Sequence, residues 1–281
     1  MLPRQQPREK PGLRIGVCIK QVPDSDAHPR IADTGRHIDD REVNWVISSC
    51  DLCALEEALL LVEAAEEAGL GRPELIAFSL GPPRVEEALR KALALGADRA
   101  VHLADADFQG GDALADGRAL AAAVDRAACD LVLAGAQSDD LGQAATPAVI
   151  AGLLGRPYAW LVMAVELERA GSVRIVRELE GGLNEVLRLG LPAVLAVQAG
   201  INKPRFASLR GTLQARRKPL ETVDCTTLGV EAGQVGEAGA GIETTALRVP
   251  PTGGGGLLIE GDAPEKAATE LLAHLEREAL L

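Results

Sequence analysis

The residues of this chain best suited to chemistry lie in four short polar segments, each where an apolar run ends or a helical pattern begins. Three are Lys20-Gln21-Val22-Pro23-Asp24, Ser48-Ser49-Cys50-Asp51 and Ser79-Leu80-Gly81-Pro82. The fourth, residues 135–146, reads Gly-Ala-Gln-Ser-Asp-Asp-Leu-Gly-Gln-Ala-Ala-Thr. Hydroxyls, amides and a lysine supply hydrogen bonds, and a glycine after a strand allows close backbone approach. The unpaired N–H groups at a helix start attract a phosphate. The chemistry expected is therefore binding of a phosphate-bearing small molecule. In an open parallel sheet such loops meet beyond the carboxyl ends of the strands, where strand order reverses. Candidate contacts are Lys20, Ser48, Ser49, Cys50, Asp51, Ser79, Gly81, Gly135, Gln137, Ser138, Asp140, Gln143, Ala144, Ala145 and Thr146. The same segments also read as ordinary βα turns that need glycine and aspartate caps.

Catalysis by the chain itself is not expected. No nucleophile–base pair stands out. Neither a G-x-G-x-x-G fingerprint nor a P-loop lysine motif is present, which disfavours Rossmann dehydrogenases and P-loop NTPases. The Ser-Gly-Gly loop of ATP pyrophosphatases, which have a related sheet, is missing too. Cys50 and Cys53 make one C-x-x-C spacing, but no second pair completes a zinc site. They read as packing cysteines at a helix start, and no metal is expected.

Composition narrows the classes further. The 281 residues are 47% hydrophobic and 25% charged, enough for a sizeable core. A formal charge of −12 argues against nucleic-acid binding, and 2% aromatic content argues against base stacking. No apolar run approaches a membrane span, and the first residues lack the core of a signal peptide. Residues 1–12 read as a disordered tail. Five cysteines, an odd number in a long chain, suit a reducing compartment, so a cytoplasmic location is expected.

The elements that must position the polar segments follow from periodicity. Strands are expected at 13–21, 74–80, 99–103 and 131–134, and helices at 52–68, 84–95, 118–128 and 144–154. That alternation implies an open, mostly parallel α/β sheet with helices on both faces. Residues 24–44 read as a surface loop or small hairpin. Strands then follow one another at 158–167, 173–180, 184–189 and 193–198, which makes an antiparallel edge. Beyond 198 the period fades. A basic stretch (Lys203, Arg205, Arg210, Arg216, Arg217, Lys218) precedes glycine-rich runs at 229–241 and 253–256. An amphipathic helix at 264–281 closes the chain, with Leu271, Leu272 and Leu275 on one side. The expected organisation is a tail (1–12), an α/β domain (13–204) and an extended arm (205–281) that packs on a partner.

The most specific pattern lies at 175–196. It alternates apolar and polar residues, breaks at Gly181-Gly182, alternates again and passes through Pro192. A hairpin explains the glycines, which supply the positive φ of a two-residue turn. It does not explain Arg177, Glu180, Glu185, Leu187 and Pro192 at their spacings. Those residues resemble the signature of electron-transfer flavoprotein β subunits, the FixA-like family. The resemblance continues in order along most of the chain. It takes in Val17-Cys18-Ile19-Lys20, then Asp51 with Ala54-Leu55-Glu56-Glu57-Ala58, and Ala-Leu-Ala-Leu-Gly-Ala-Asp-Arg-Ala at 92–100. It resumes with Asp-Leu-Val-Leu-Ala-Gly at 130–135, Gln137, Asp140, and Asn202-Lys203-Pro204-Arg205-Phe206-Ala207-Ser208-Leu209.

The resemblance implies half of a heterodimer. An α subunit would hold the redox FAD, while this chain would hold AMP or, as in bifurcating relatives, a second FAD, with Cys18 joining the loop contacts above. Electrons would pass from an acyl-CoA- or amine-type dehydrogenase, through the α-bound flavin, to a quinone reductase. Arg205, Phe206, Ala207, Ser208, Leu209 and Arg210 would dock the dehydrogenase, with Leu209 as its pocket anchor. The chain departs from the family at Ser48-Ser49, where Asn-Pro is usual, and at Ser25, where an aromatic residue often faces the flavin. At 144–147 it has Ala-Ala-Thr-Pro, without the amide side chain or the full set of backbone donors usual near the phosphate. The alternative is a stand-alone adenine-nucleotide-binding regulatory protein or hydrolase on the same sheet, active without a partner.

Overall fold

The computed structural model describes residues 12–27, 30–169, 171–250, 256–259 and 263–281. Nearly all of the expected N-terminal tail, and most of the glycine run at 253–256, lie outside the described residues.

Strand β1 (Arg14–Cys18) lies near the middle of a nine-stranded sheet. Two small antiparallel pairs follow: β2 (Gln21–Pro23) with β5 (Trp45–Ile47), and β3 (Arg30–Ile31) with β4 (Ile38–Asp39). The polar 24–44 stretch thus contains a small hairpin. The chain then runs through α1 (Ser49–Glu67), β6 (Glu74–Leu80), α2 (Val85–Leu95) and β7 (Arg99–Leu103), stepping outward on one side of β1. Helix α3 (Ala113–Arg126) returns it to the other side, where β8 (Leu131–Gly135) pairs parallel with β1. Next come α4 (Thr146–Leu154), β9 (Tyr158–Glu168) and the antiparallel edge of β10 (Ser172–Glu178) and β11 (Asn184–Gly190). Strand β12 (Ala193–Val197) inserts between β9 and β8, parallel to both.

Alternation of side chains in the central strands sorts the core into two layers. Ile15, Val17, Leu75, Ala77, Leu131 and Leu133 pack with α1 and α2 residues, whereas Cys18, Ile76, Phe78, Val132 and Ala134 pack with α3 and α4 residues. Burial on both faces is why these strands read as unbroken apolar runs.

Three local readings change. Helix α1 starts at Ser49 rather than 52. Helix α3 starts at Ala113 rather than 118, because Asp112 caps it by accepting the N–H groups of Leu114 and Ala115 at 3.0 and 2.9 Å. The hairpin turn is a three-residue loop, Glu180–Gly182, closed by the Leu179 N–H to the Leu183 carbonyl at 2.8 Å. Both glycines keep positive φ, 75° and 74°. Arg177 and Glu185 of the signature are directly opposed across β10 and β11 and form an ion pair at 2.6 Å.

The chain beyond 198 also carries more structure than its composition suggests. Helix α5 (Leu209–Ala215) packs on α2, and β13 (Leu220–Val223) extends the far edge of the sheet beside β7. The full order is β11-β10-β9-β12-β8-β1-β6-β7-β13. Short helices α6 (Cys225–Leu228) and α7 (Gly236–Gly239) follow, with Val223, Cys225 and Val235 buried. A four-residue strand among basic and polar residues is too short for its period to stand out. Helix α8 (Pro264–Arg277) buries no residue.

At the end of β8, a Cβ on Gly135 would lie 2.6 Å from Asp51 Oδ1, 2.7 Å from Cys50 Cβ and 2.8 Å from the Asp51 nitrogen. Gly135→Ala therefore forces β8 and α1 apart, and urea unfolding followed by circular dichroism is expected to show a loss of about 1–3 kcal/mol.

Candidate functional site

Strand order reverses between β1 and β8, since the chain leaves β1 for β6 on one side and comes back to β8 on the other. Asp51, in the first turn of α1 and buried, sits at this switch point. Its Oδ2 accepts the Lys20 N–H at 2.8 Å and its Oδ1 accepts the Gly135 N–H at 2.6 Å. Burial pushes this carboxyl up to about 7, against the pull of those two donors toward the charged form.

The 135–146 loop folds over the start of α1. The Ser49 N–H donates to Asp139 Oδ2 at 2.7 Å, and the Ser49 hydroxyl donates to Asp139 Oδ1 at 2.6 Å. The Asp139 N–H in turn donates to Ser48 Oγ at 3.2 Å. The Lys20 ammonium lies 2.8 Å from each oxygen of Asp140. Burial alone would raise the Asp140 carboxyl, but the lysine outweighs it and holds the group below the usual carboxylate range.

A cavity of about 660 Å³ opens here, lined by Ser25, Ser49, Gln137, Ser138, Asp139, Asp140, Leu141 and Gly142. Of the contacts read from sequence, Ser49, Gln137, Ser138 and Asp140 form its wall, with Lys20 held against Asp140. Cys18, Ser48, Cys50, Asp51 and Gly135 are buried. Ser79 is buried and spends its hydroxyl on the Ile19 carbonyl at 2.7 Å, while the Gly81 carbonyl lies 2.9 Å from His102 Nε2. Gln143, Ala144, Ala145 and Thr146 lead into α4 and are not part of the wall. Asp139 and Ser25 do line it. Nothing in the spacing of adjacent aspartates separates Asp139 from Asp140.

A second site grows from the middle of α1. Arg205 Nε donates to both Glu56 oxygens at 2.9 and 3.0 Å, and its Nη1 and Nη2 reach Glu63 at 2.5 and 3.1 Å. Its backbone N–H also donates to Glu56 at 3.0 Å. Asn202 Nδ2 donates to the Cys53 carbonyl and to Glu57, both at 3.0 Å. The Glu-Glu pair of α1 and the Asn-Lys-Pro-Arg segment, far apart in sequence, are therefore one clamp. Beyond it Phe206 is 98% exposed and Leu209 79% exposed, with Ala207, Ser208 and Arg210 also exposed. Ser208 Oγ caps α5 by accepting the Gly211 N–H at 3.0 Å. Leu213, one turn on from Leu209, is exposed on the same side.

The basic stretch is partly consumed within the chain. Arg205 is held in the clamp, and Lys218 Nζ donates to the Leu93 and Ala97 carbonyls at the end of α2 at 3.1 and 2.6 Å. Lys203, Arg210, Arg216 and Arg217 stay exposed. All five cysteines are free and buried. Burial pushes the Cys129 thiol up to about 12 and the Cys225 thiol up to about 11, and it raises Cys18 as well. Such thiols are poor nucleophiles. Asp105, Asp107 and Cys225 come within 4.8 Å of one another, but the Asp105 carboxylate is engaged by the N–H groups of Cys225 and Asp107 at 3.0 and 3.2 Å.

Asp51→Asn swaps one acceptor oxygen for an NH₂ group and strands the N–H of Lys20 or Gly135. The expected cost is about 1–3 kcal/mol in equilibrium unfolding. Hydrogen exchange should quicken at those two amides before it quickens elsewhere in the sheet.

Comparison with known proteins extends along the chain through both sites. The family model described as the electron transfer flavoprotein domain matches residues 36–228. The electron transfer flavoprotein subunit beta of Methylophilus methylotrophus is 37% identical over 257 residues, covering 91% of this chain and 96% of the relative. Its counterpart from Mycobacterium bovis is 36% identical over 263 residues, covering 92% and 98%. The caffeyl-CoA reductase-Etf complex subunit CarD of Acetobacterium woodii is 32% identical over 271 residues, covering 96% and 100%. With the sheet, the switch-point carboxylate and the clamped segment lying inside the matched region, the chain belongs to the electron transfer flavoprotein family, as a β subunit.

Proposed function

We propose that this chain works as one half of a heterodimer whose α subunit holds FAD, and that it docks the electron donor without catalysing a reaction itself. The observation that carries this reading is the clamp at Arg205. It fixes the root of a segment whose apolar side chains, Phe206 and Leu209, are almost fully exposed. An apolar anchor on a rigid root forgoes little entropy on binding, which is what an interface hot spot needs. The exposed Arg210, Arg216 and Arg217 favour a donor with an acidic rim around an apolar pocket. An acyl-CoA- or amine-type dehydrogenase is the proposed donor and a quinone reductase the proposed acceptor.

The arm supplies the surface for the α subunit. Val249, Leu257, Leu271 and Leu272 are exposed, and no residue of α8 is buried. FAD, when bound, supplies the redox chemistry, and this chain orients and seals. The cavity beside Ser25 and Ser49 suits an adenine nucleotide in size and offers hydroxyl and amide partners in Ser49, Gln137 and Ser138. We assign it AMP as a structural ligand. Buried free thiols fit a reducing cytoplasm, and among the described residues no helix is long and apolar enough to cross a membrane.

Co-expression with candidate α subunits, followed by gel filtration at a flavin wavelength, is expected to give one heterodimer peak carrying one flavin. A chain that ignores every α subunit and turns over nucleotide alone would instead establish the stand-alone alternative. Within the heterodimer, Leu209→Ala should raise the KM for the donor dehydrogenase roughly tenfold, as removal of a buried leucine implies. Flavin content and heterodimer formation should stay unchanged.

A further inference from the structure

The start of α1 flanks the switch point, and in an open parallel sheet that is where a phosphate is expected. Here the position is taken by the chain's own carboxylate. Asp139 accepts both the backbone N–H and the hydroxyl of Ser49, at 2.7 and 2.6 Å, and its own N–H returns to Ser48. The nearest cation is engaged as well, since Lys20 lies 2.8 Å from each oxygen of Asp140. Both aspartates line the cavity wall, and the wall includes no lysine or arginine. A phosphate entering this cavity would meet two carboxylates and a helix start whose first donor is occupied. The hydroxyl and amide groups of Ser138 and Gln137, by contrast, remain suited to an uncharged ligand face.

We propose that Asp139 is an internal occupant of the phosphate position, so that it sets the ligand preference of the cavity. As folded, the cavity accepts the nucleoside part of an adenine nucleotide and gains nothing from the phosphate, which has to displace Asp139 from Ser49. The inference rests on the reading of this cavity as a nucleotide site. Asp139 thereby acts as a specificity-determining residue rather than as a ligand.

The test is isothermal titration of the nucleotide-stripped heterodimer, or of the purified chain, with adenosine and with AMP. Wild type, Asp139→Ala and Asp139→Asn are compared. Wild type should bind AMP no more tightly than adenosine. Asp139→Ala, which vacates the helix start, should bind AMP roughly tenfold or more tightly than wild type, as a freed charge-assisted site implies. Its adenosine affinity should stay within about twofold of wild type, which also reports that the loop is still folded. Asp139→Asn loses the charge but keeps an oxygen able to accept the Ser49 N–H, so it should gain less than Asp139→Ala. An equal gain in both variants would reduce Asp139 to a repulsive charge and overturn the proposal. AMP binding to wild type tenfold more tightly than adenosine would overturn it too, while leaving the nucleotide site standing. No binding of either ligand to any form would remove the nucleotide site and this inference together.

Discussion

Two backbone N–H groups from different strands end on one buried carboxylate, that of Asp51, and the placement of both sites follows from this contact. Burying a carboxylate is costly, and it is tolerated here because two short hydrogen bonds and the positive end of α1 meet it. The result is a helix pinned at once to the ends of β1 and β8. Gly135 leaves no room for a side chain because α1 is drawn so close. The 135–146 loop therefore starts at a fixed height and lies across Ser49.

Once its N-terminus is fixed, α1 serves as a ruler. Glu56 and Glu63 are two turns apart on one face, and together they hold the two sides of the Arg205 guanidinium. From Asp51 to Glu63 the helix rises about 18 Å. The cavity at one end and the exposed leucine near the other are thus referenced to the same rigid element. A carrier benefits from this, because both the entropy lost on docking and the separation between sites are settled in the fold rather than at the encounter. Glu57 completes the arrangement. Burial raises its carboxyl, and Asn202 answers with a hydrogen bond that also ties the arm to the Cys53 carbonyl.

How far the sequence discloses this depends on the range of each interaction. The parallel sheet, the antiparallel edge and the limits of β6, β7 and α2 were legible because unbroken apolar runs and helical periods are local patterns. Helix α3 was foreshortened because its start is written in one capping residue, Asp112, and not in a period. Strand β13 was invisible because four residues carry too little pattern, and its place in the sheet comes from pairing with β7. At the site, the segments around Lys20, Ser49 and Asp140 were legible as loops that would converge. Ser79 and Gly81 read identically yet are used inside the fold, and only the third dimension separates the two uses. Asp139 was passed over because adjacent aspartates look alike until one of them turns toward a helix start. The basic stretch misled in a similar way, since Lys218 caps the end of α2 and Arg205 belongs to the clamp.

Composition changes near residue 205, but burial stops later, near 240. Up to that point α5, β13 and α7 pack against the sheet or its helices, and Ala215, Val223 and Val235 are buried. Among the described residues from 241 on, none is buried, although Ile242, Leu258, Leu280 and Leu281 are large and apolar. A helix of 14 residues is marginal in water on its own, and α8 makes no packing contact that would repay its ordering. Polar sequence would have been the simple way to keep such an arm in solvent. Leucines at helical spacing, kept beside a chain that already has a complete two-layer core, make physical sense only if another surface covers them. The clamp and the arm therefore divide the labour. The residues anchored on α1 face a partner that comes and goes, and the residues that nothing in this chain covers face one that stays.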